Sequence, residues 1–208
     1  MVLKPEPTPV EITFTLLNDV ALHYRSNTRK DNTQRVQMML LASTMNHWLP
    51  QYDINTRLRV AHFLAQTCHE TAHFLSLTEK PARGGLEYEP TTRAGRNLGN
   101  EKTGDGPKYI GRGLLHLTGR ENYKKYGRQL TENLVDYPET VALPFSDNEA
   151  FKLAVRTACL FWKNNDINIP ADNDDLMEVT HRVNGGYNGL EARRRALDRA
   201  KRSLGIGI

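Results

Sequence analysis

Residues 59–78 constrain the fold more than any other stretch, because their apolar residues recur at the period of a helix and such a face has to be buried. With Glu70 as reference, Phe63, Phe74 and Leu77 stand at i−7, i+4 and i+7, so at about 100° per residue all four project from one side. An acid on that stripe loses much of its water. Desolvation favours the neutral carboxyl, and a carboxyl still protonated near neutral pH is what a hydrolase needs to protonate a leaving group. The plainer alternative is a Glu at the edge of a core stripe that reaches out to solvent.

The same segment contains His69-Glu70-Thr71-Ala72-His73. This matches H-E-x-x-H, in which two His one turn apart bind zinc and the Glu acts as base. A catalytic zinc needs a third protein ligand. His116 and His181 are the downstream histidines, and neither lies in a zincin extension; His62, further back, completes no site. The metal reading is the weaker one, and neither a metal nor an organic cofactor is expected.

With 208 residues, 38% hydrophobic and 25% charged, the chain is ordinary globular material with enough length for one substantial core. A formal net charge of +4 suits an anionic target such as a bacterial envelope or nucleic acid. Nucleic acid is the poorer fit, since no RNP or zinc-finger signature is present and the basic residues are not interleaved with aromatics. Cys68 and Cys159 lie inside apolar helical patterns, which reads as buried free thiols and not as a disulfide framework. Pro5, Pro7 and Pro9 mark a start without an apolar signal region, and no run reaches membrane-spanning length. The expectation is a monomer made in the cytoplasm, without stable membrane insertion, that reaches any extracytoplasmic target by a route the sequence does not encode.

Along the chain, residues 12–24 and 36–49 have near-helical spacing around a polar turn at 26–34, with the second helix ending near Pro50. Asn55 or Thr56 is placed to cap the Glu70 helix, which should stop before Pro81. Residues 80–113 then lose helical period and collect Gly, charged residues, Tyr88 and Tyr109, the composition of a working loop. Helical spacing returns at 147–163, with Ser146 as cap, and at 176–182, closed by Asn184-Gly185-Gly186. It appears again at 190–204, an Arg-rich amphipathic segment whose basic face reads as solvated. The chain is mostly α, with residues 1–48 as an N-terminal helical extension or small lobe and 49–208 as the catalytic core of one unit.

The block GDGPKYIGRGLLHLTGRENY at 104–123 is the most site-like. Gly111-Arg112-Gly113 lets backbone approach a ligand closely, and an extended strand after it would put His116 and Thr118 on one side and Leu115 and Leu117 on the other. Four pieces now stand in order: AQTCHET at 65–71, the loop at 88–100 ending Leu-Gly-Asn, the 104–123 block, and RVNGG at 182–186 before a basic helix. Together they resemble glycoside hydrolase family 19, the chitinases and the phage endolysins built on the same lysozyme-like core.

That resemblance implies an α-rich, lysozyme-like catalytic domain with a long Gly-rich active-site loop and at most a small β element. It implies Glu70 as general acid and Glu79 as the base that activates water, with Glu87 or Glu89 as the alternative base. Thr118 matches the Ser or Thr that helps hold the water, and His116 stands where Gln is more usual. Tyr109, Arg112, Asn122 and Asn184 fall at positions that line or brace a sugar cleft. An inverting glycosidase keeps its carboxyl groups about 6.5–9.5 Å apart so that water fits beside the sugar. The implied activity is cleavage of the β-1,4 bond between N-acetylmuramic acid and N-acetylglucosamine in peptidoglycan, in a phage endolysin acting in the periplasm. A chitinase, an interbacterial toxin with the same chemistry, and the zinc peptidase remain as alternatives.

Overall fold

The computed structural model describes residues 10–143 and 151–207. Among the described residues ten α-helices follow one another: α1 (Phe14–Val20), α2 (Thr28–Trp48), α3 (Arg57–Glu70), α4 (Arg93–Asn97), α5 (Asp105–Lys108), α6 (Arg120–Leu130), α7 (Lys152–Asn164), α8 (Asn168–Asp172), α9 (Leu176–Asn184) and α10 (Leu190–Ser203). Among the described residues the β component is limited to the isolated bridges Thr78 to Arg112 and Arg112 to Leu117. No helix there is long and apolar enough to cross a membrane.

Side-chain caps start several helices, as the orphan amides of a first turn require. Thr56 accepts from Arg59 N at 3.3 Å, which settles the choice between Asn55 and Thr56. Asn27 accepts from Lys30 N at 3.0 Å and starts α2 within the segment expected to be a polar turn. Those polar residues form the solvent side of a longer helix. One of them, Gln34, turns inward and donates from Nε2 to Leu22 O at 2.8 Å and His73 O at 2.6 Å. The Ser146 cap and residues 147–150 lie outside the described residues, and α7 is seen from Lys152.

The helix carrying Glu70 is shorter than its apolar period suggests. It ends at Glu70, and the Phe74 and Leu77 alignment with that acid on one helical face is corrected. Buried Thr71 stops the helix: its hydroxyl donates to Thr67 O at 2.6 Å and accepts from Phe74 N at 2.9 Å. Ala72, His73 and Phe74 then take left-handed φ values of 48°, 64° and 61°. Phe74 and Leu77 are still buried, but they reach the core through this turn.

A left-handed non-glycine residue costs about 1–2 kcal/mol. The turn persists because its carbonyls are taken by other elements, Ala72 O by the Tyr24 hydroxyl at 3.0 Å and His73 O by Gln34.

α3 is the hub of the molecule, packed chiefly against α10. Its residues Val60, Phe63, Leu64 and Cys68 share one core with Leu17, Met38 and Met45 from the first two helices and Trp162 from α7. Residues 14–48, read from sequence as an extension, thus contribute to the same core as the rest. A smaller cluster of Tyr109, Tyr123, Tyr126, Leu134 and Val141 supports the Gly-rich loop from beneath. Cys68 and Cys159 are free and buried, and burial pushes the Cys68 thiol up to about 12. Fully buried His62 meets Asp174 at 2.9 Å, and the same carboxylate takes the Lys201 ammonium, tying α3 to α10 through the segment before α9.

Ala72 is exposed and glycine has no left-handed penalty, so Ala72→Gly should stabilise the fold by about 0.5–1 kcal/mol. Thermal unfolding followed by circular dichroism should show a rise of about 1–4 °C, and a fall would mean the turn carries no strain.

Candidate active site

The C-terminus of α3 delivers Glu70 to a polar cluster. One carboxylate oxygen, Oε1, accepts from Nη2 of Arg193 on α10, and the other, Oε2, faces His116 Nδ1 at 3.7 Å. Arg193 is 1% exposed, an unusual position for an ion that must leave water. Its other two nitrogens are also engaged: Nη1 donates to Gln66 Oε1 at 2.5 Å and Nε to Asn188 O at 3.3 Å. Gln66 in turn donates to the Thr180 hydroxyl at 3.1 Å. Helices α3, α9 and α10 are therefore joined around one guanidinium.

Glu79 arrives from the extended strap after the left-handed turn. Its amide donates to Gly111 O at 2.9 Å, its Oε1 accepts from the Gly111 amide, and its Oε2 accepts from the Tyr88 hydroxyl at 3.3 Å. Gly111 is required here by space. A Cβ at that position would stand 2.9 Å from both the Glu79 carboxyl carbon and the His116 Cβ. Burial and then the Glu79 charge raise the Tyr88 phenol to about 12, which keeps it a hydrogen-bond donor.

His116 is addressed by both carboxylates. Burial lowers its pKa below the ordinary histidine value, against the pull of Glu70 and Glu79. It adopts a left-handed φ of 47°, so residues 113–116 form a turn closed by the Arg112 to Leu117 bridge and not the expected extended strand. Glycine at 113 supplies the opposite bend, and the Thr118 hydroxyl donates to His116 O at 2.7 Å, fixing the strained residue.

The other expected site residues fall into distinct places. Tyr109 is corrected from ligand contact to core, because its ring is fully buried and its hydroxyl donates to Val135 O at 3.0 Å. Arg112 uses Nη1 on Lys108 O, Ile110 O and the Tyr123 hydroxyl, at 2.9, 3.2 and 3.1 Å, and so braces the loop. Asn122 donates to Thr118 O at 2.8 Å, while Asn184 is exposed at the end of α9, where Gly185 takes a φ of 69°. Glu87 accepts from the Arg83 and Gly85 amides at 3.2 and 3.0 Å, and Glu89 accepts from Gly104 N at 3.0 Å. Both carboxylates are thus taken by loop amides, whereas the Glu79 charge acts on His116.

The zinc string is also resolved by the end of α3. His73 lies beyond the helix in the left-handed turn, with Nδ1 3.3 Å from the Cys68 sulfur, and His69 packs beneath Gly189. Among the described residues no group of three His, Cys, Asp or Glu is arranged to hold a metal ion.

The loop is held as firmly as the helices. Asp105 takes Arg120 Nε and Nη2, both at 2.6 Å, together with the Glu101 and Lys102 amides. Burial of Asp105 opposes its ionisation, but Arg120 and those amides outweigh it and bring the carboxyl down to about 2. Asn100 links Tyr88 O to the Arg120 amide at 2.7 Å each.

Arg193, Gln66 and Tyr88 were missed as site residues by sequence reasoning. A signal existed for Arg193: it sits three residues after Leu190 and three, four and seven before Ala196, Leu197 and Ala200, inside the apolar stripe of α10. The basic face of that helix is therefore solvated only in part.

The sequence profile described as chitinase class I, of glycoside hydrolase family 19, matches residues 20–184. A Haemophilus influenzae glycosyl hydrolase family 19 domain-containing protein is 33% identical over 162 residues, 66% of this chain and 76% of that one. Acidic endochitinase Q of Nicotiana tabacum is 30% identical over 125 residues, 60% of this chain and 42% of its own length. The chain thus spans under half of that plant enzyme. Chitinase C of Streptomyces griseus has the same fold, with a TM-score of 0.65 at 18% identity over 99% of this chain and 80% of that one. The chain belongs to glycoside hydrolase family 19 and is a glycoside hydrolase, an enzyme of glycan substrates.

Replacing Arg193 by Met should destabilise the protein by about 3 kcal/mol, since Glu70 and Gln66 both lose a buried partner. In urea unfolding Glu70→Gln, which keeps an acceptor for Arg193, should cost less than half of that. Stability should also fall as pH drops from 7 to 5. Burial lowers the folded pKa values of His62, His69, His73 and His116 below 6.5, so the unfolded chain binds protons first. A second loss, from Asp105, should begin below 3.8 and continue toward 2. A flat melting temperature between pH 7 and 5 would contradict the histidine contribution.

Proposed function

We propose that this glycoside hydrolase is a peptidoglycan hydrolase of the endolysin type, cleaving the β-1,4 bond between N-acetylmuramic acid and N-acetylglucosamine with inversion. The observation that carries this reading is the convergence of Glu70 and Glu79 on His116, one carboxylate from a rigid helix and one from a strap. Glu70 donates a proton to the glycosidic oxygen as the bond breaks. Arg193 occupies its Oε1, which leaves Oε2 as the oxygen that carries and delivers the proton. Glu79, held by the Gly111 amide and the Tyr88 hydroxyl, takes a proton from the water that attacks the anomeric carbon from the opposite face. Thr118 fixes the turn that presents His116 to both.

The net charge of +4 supports an anionic wall polymer over neutral chitin. Chitin is the second reading, favoured by the endochitinase names of the plant relatives. The setting we favour is release from a phage-infected Gram-negative cell, with the protein acting as a monomer on periplasmic glycan strands.

Turbidity loss of outer-membrane-permeabilised Gram-negative cells, with and without EDTA, tests this directly. Wild type should lyse them in EDTA and release fragments with muramic acid at the reducing end, identified by mass spectrometry. Glu70→Gln and Glu79→Gln should each lose about 10²–10⁴-fold in rate. Turnover of chitin oligomers with intact peptidoglycan would replace the substrate, and EDTA-sensitive cleavage of peptide bonds would overturn the glycosidase reading.

A further inference from the structure

We infer that His116 is a positioning residue that sets the acidic limit of the reaction: neutral, it leaves Glu70 Oε2 free to carry a proton, and charged, it clamps that oxygen as carboxylate. This rests on the reading of Glu70 as the acid. The geometry behind it is local. Glu70 has two oxygens, one already engaged by Arg193, and the other faces His116 Nδ1 at 3.7 Å. An imidazolium there would place a cation against each oxygen of one carboxylate. Two adjacent cations hold Glu70 as carboxylate, because both favour its charged form, and transfer of a proton to a glycosidic oxygen would stop.

The surroundings hold the ring in place for such a role. Its backbone is in the left-handed region, and the Thr118 hydroxyl and the close approach of Gly111 define where the side chain starts. Nε2 is buried and has no hydrogen-bond partner among the described residues, so no fixed acceptor is present to stabilise a second N–H. The charged groups that face the ring are Glu70 at the end of α3 and Glu79 on the strap. Arg193 of α10 acts on it through Glu70, and Tyr88 through Glu79. Burial wins over both carboxylates and keeps the imidazole neutral through the neutral pH range. The same ring becomes charged once the medium is acidic enough, while Glu79 must stay ionised to act as base. Charging of His116 thus closes the acid side of the profile.

Two measurements test this. The His116 ring, followed by NMR in imidazole-labelled protein, should titrate below the ordinary histidine range in wild type. In Glu70→Gln its midpoint should fall by about half a pH unit or more, because a facing charge has been removed at 3.7 Å. An unmoved midpoint would overturn the inference. In the second, kcat/KM is measured against pH for wild type, His116→Gln and His116→Asn, each normalised to its own maximum. The acid limb should move to lower pH in both variants. A limb that stays in place in an active variant would show that the ring only fills space. Were no glycan turned over at all, the proposed function would fall, and the NMR titration alone would decide whether Glu70 and His116 are coupled as stated.

Discussion

The pairing of Arg193 with Glu70 is the interaction on which the remainder of the site depends. A guanidinium with 1% exposure has lost nearly all of its water, and only a full set of acceptors makes that tolerable. Glu70, Gln66 and the Asn188 carbonyl supply that set. The consequence runs in both directions. The cation fixes the carboxylate at the end of α3, and the carboxylate fixes α10 against α3, the principal helix contact of the fold.

Strain is concentrated where the two carboxylates are brought together. Three left-handed residues, 72–74, come just after Thr71 at the end of α3, and a fourth is His116 itself. Each is held by bonds from elsewhere: Tyr24 from the segment between α1 and α2, Gln34 from α2, Thr71 from the end of α3, and Thr118 from the loop. A helix continuing past Glu70 would carry the chain onward along its axis. The left-handed turn reverses it instead, so that Glu79 returns beside Gly111. The N-terminal helices thereby take part in shaping the site although none of their residues enters it.

Much of this was legible in the sequence because short-range signals produce it. The Thr56 cap, the apolar spacing of α3 and α10, and the Gly185 stop are each written in a few consecutive residues. The Gly-rich block also announced itself, through residues whose use is backbone approach. What misled was the assumption that an apolar period means a continuing helix. Phe74 and Leu77 are buried at that period but lie beyond the helix end, because a buried Thr71 hydroxyl competes for the backbone. Tyr109 reads as a ligand contact by its place in the motif, yet its hydroxyl is taken by Val135 O, a residue far along the chain.

By itself, the sequence determined an α-rich family 19 hydrolase, the placement of Glu70 on a helix, and Gly111 as a point of close approach. Those features rest on local propensity, period and motif order. Tertiary structure alone decided the partners: Arg193 for Glu70, Tyr88 for Glu79, and His116 facing both carboxylates. Glu70 and Arg193 are 123 residues apart, and no local pattern encodes a pair at that separation. Such partners are chosen by burial, since an ion removed from water must take whatever opposite charge the packing brings within reach.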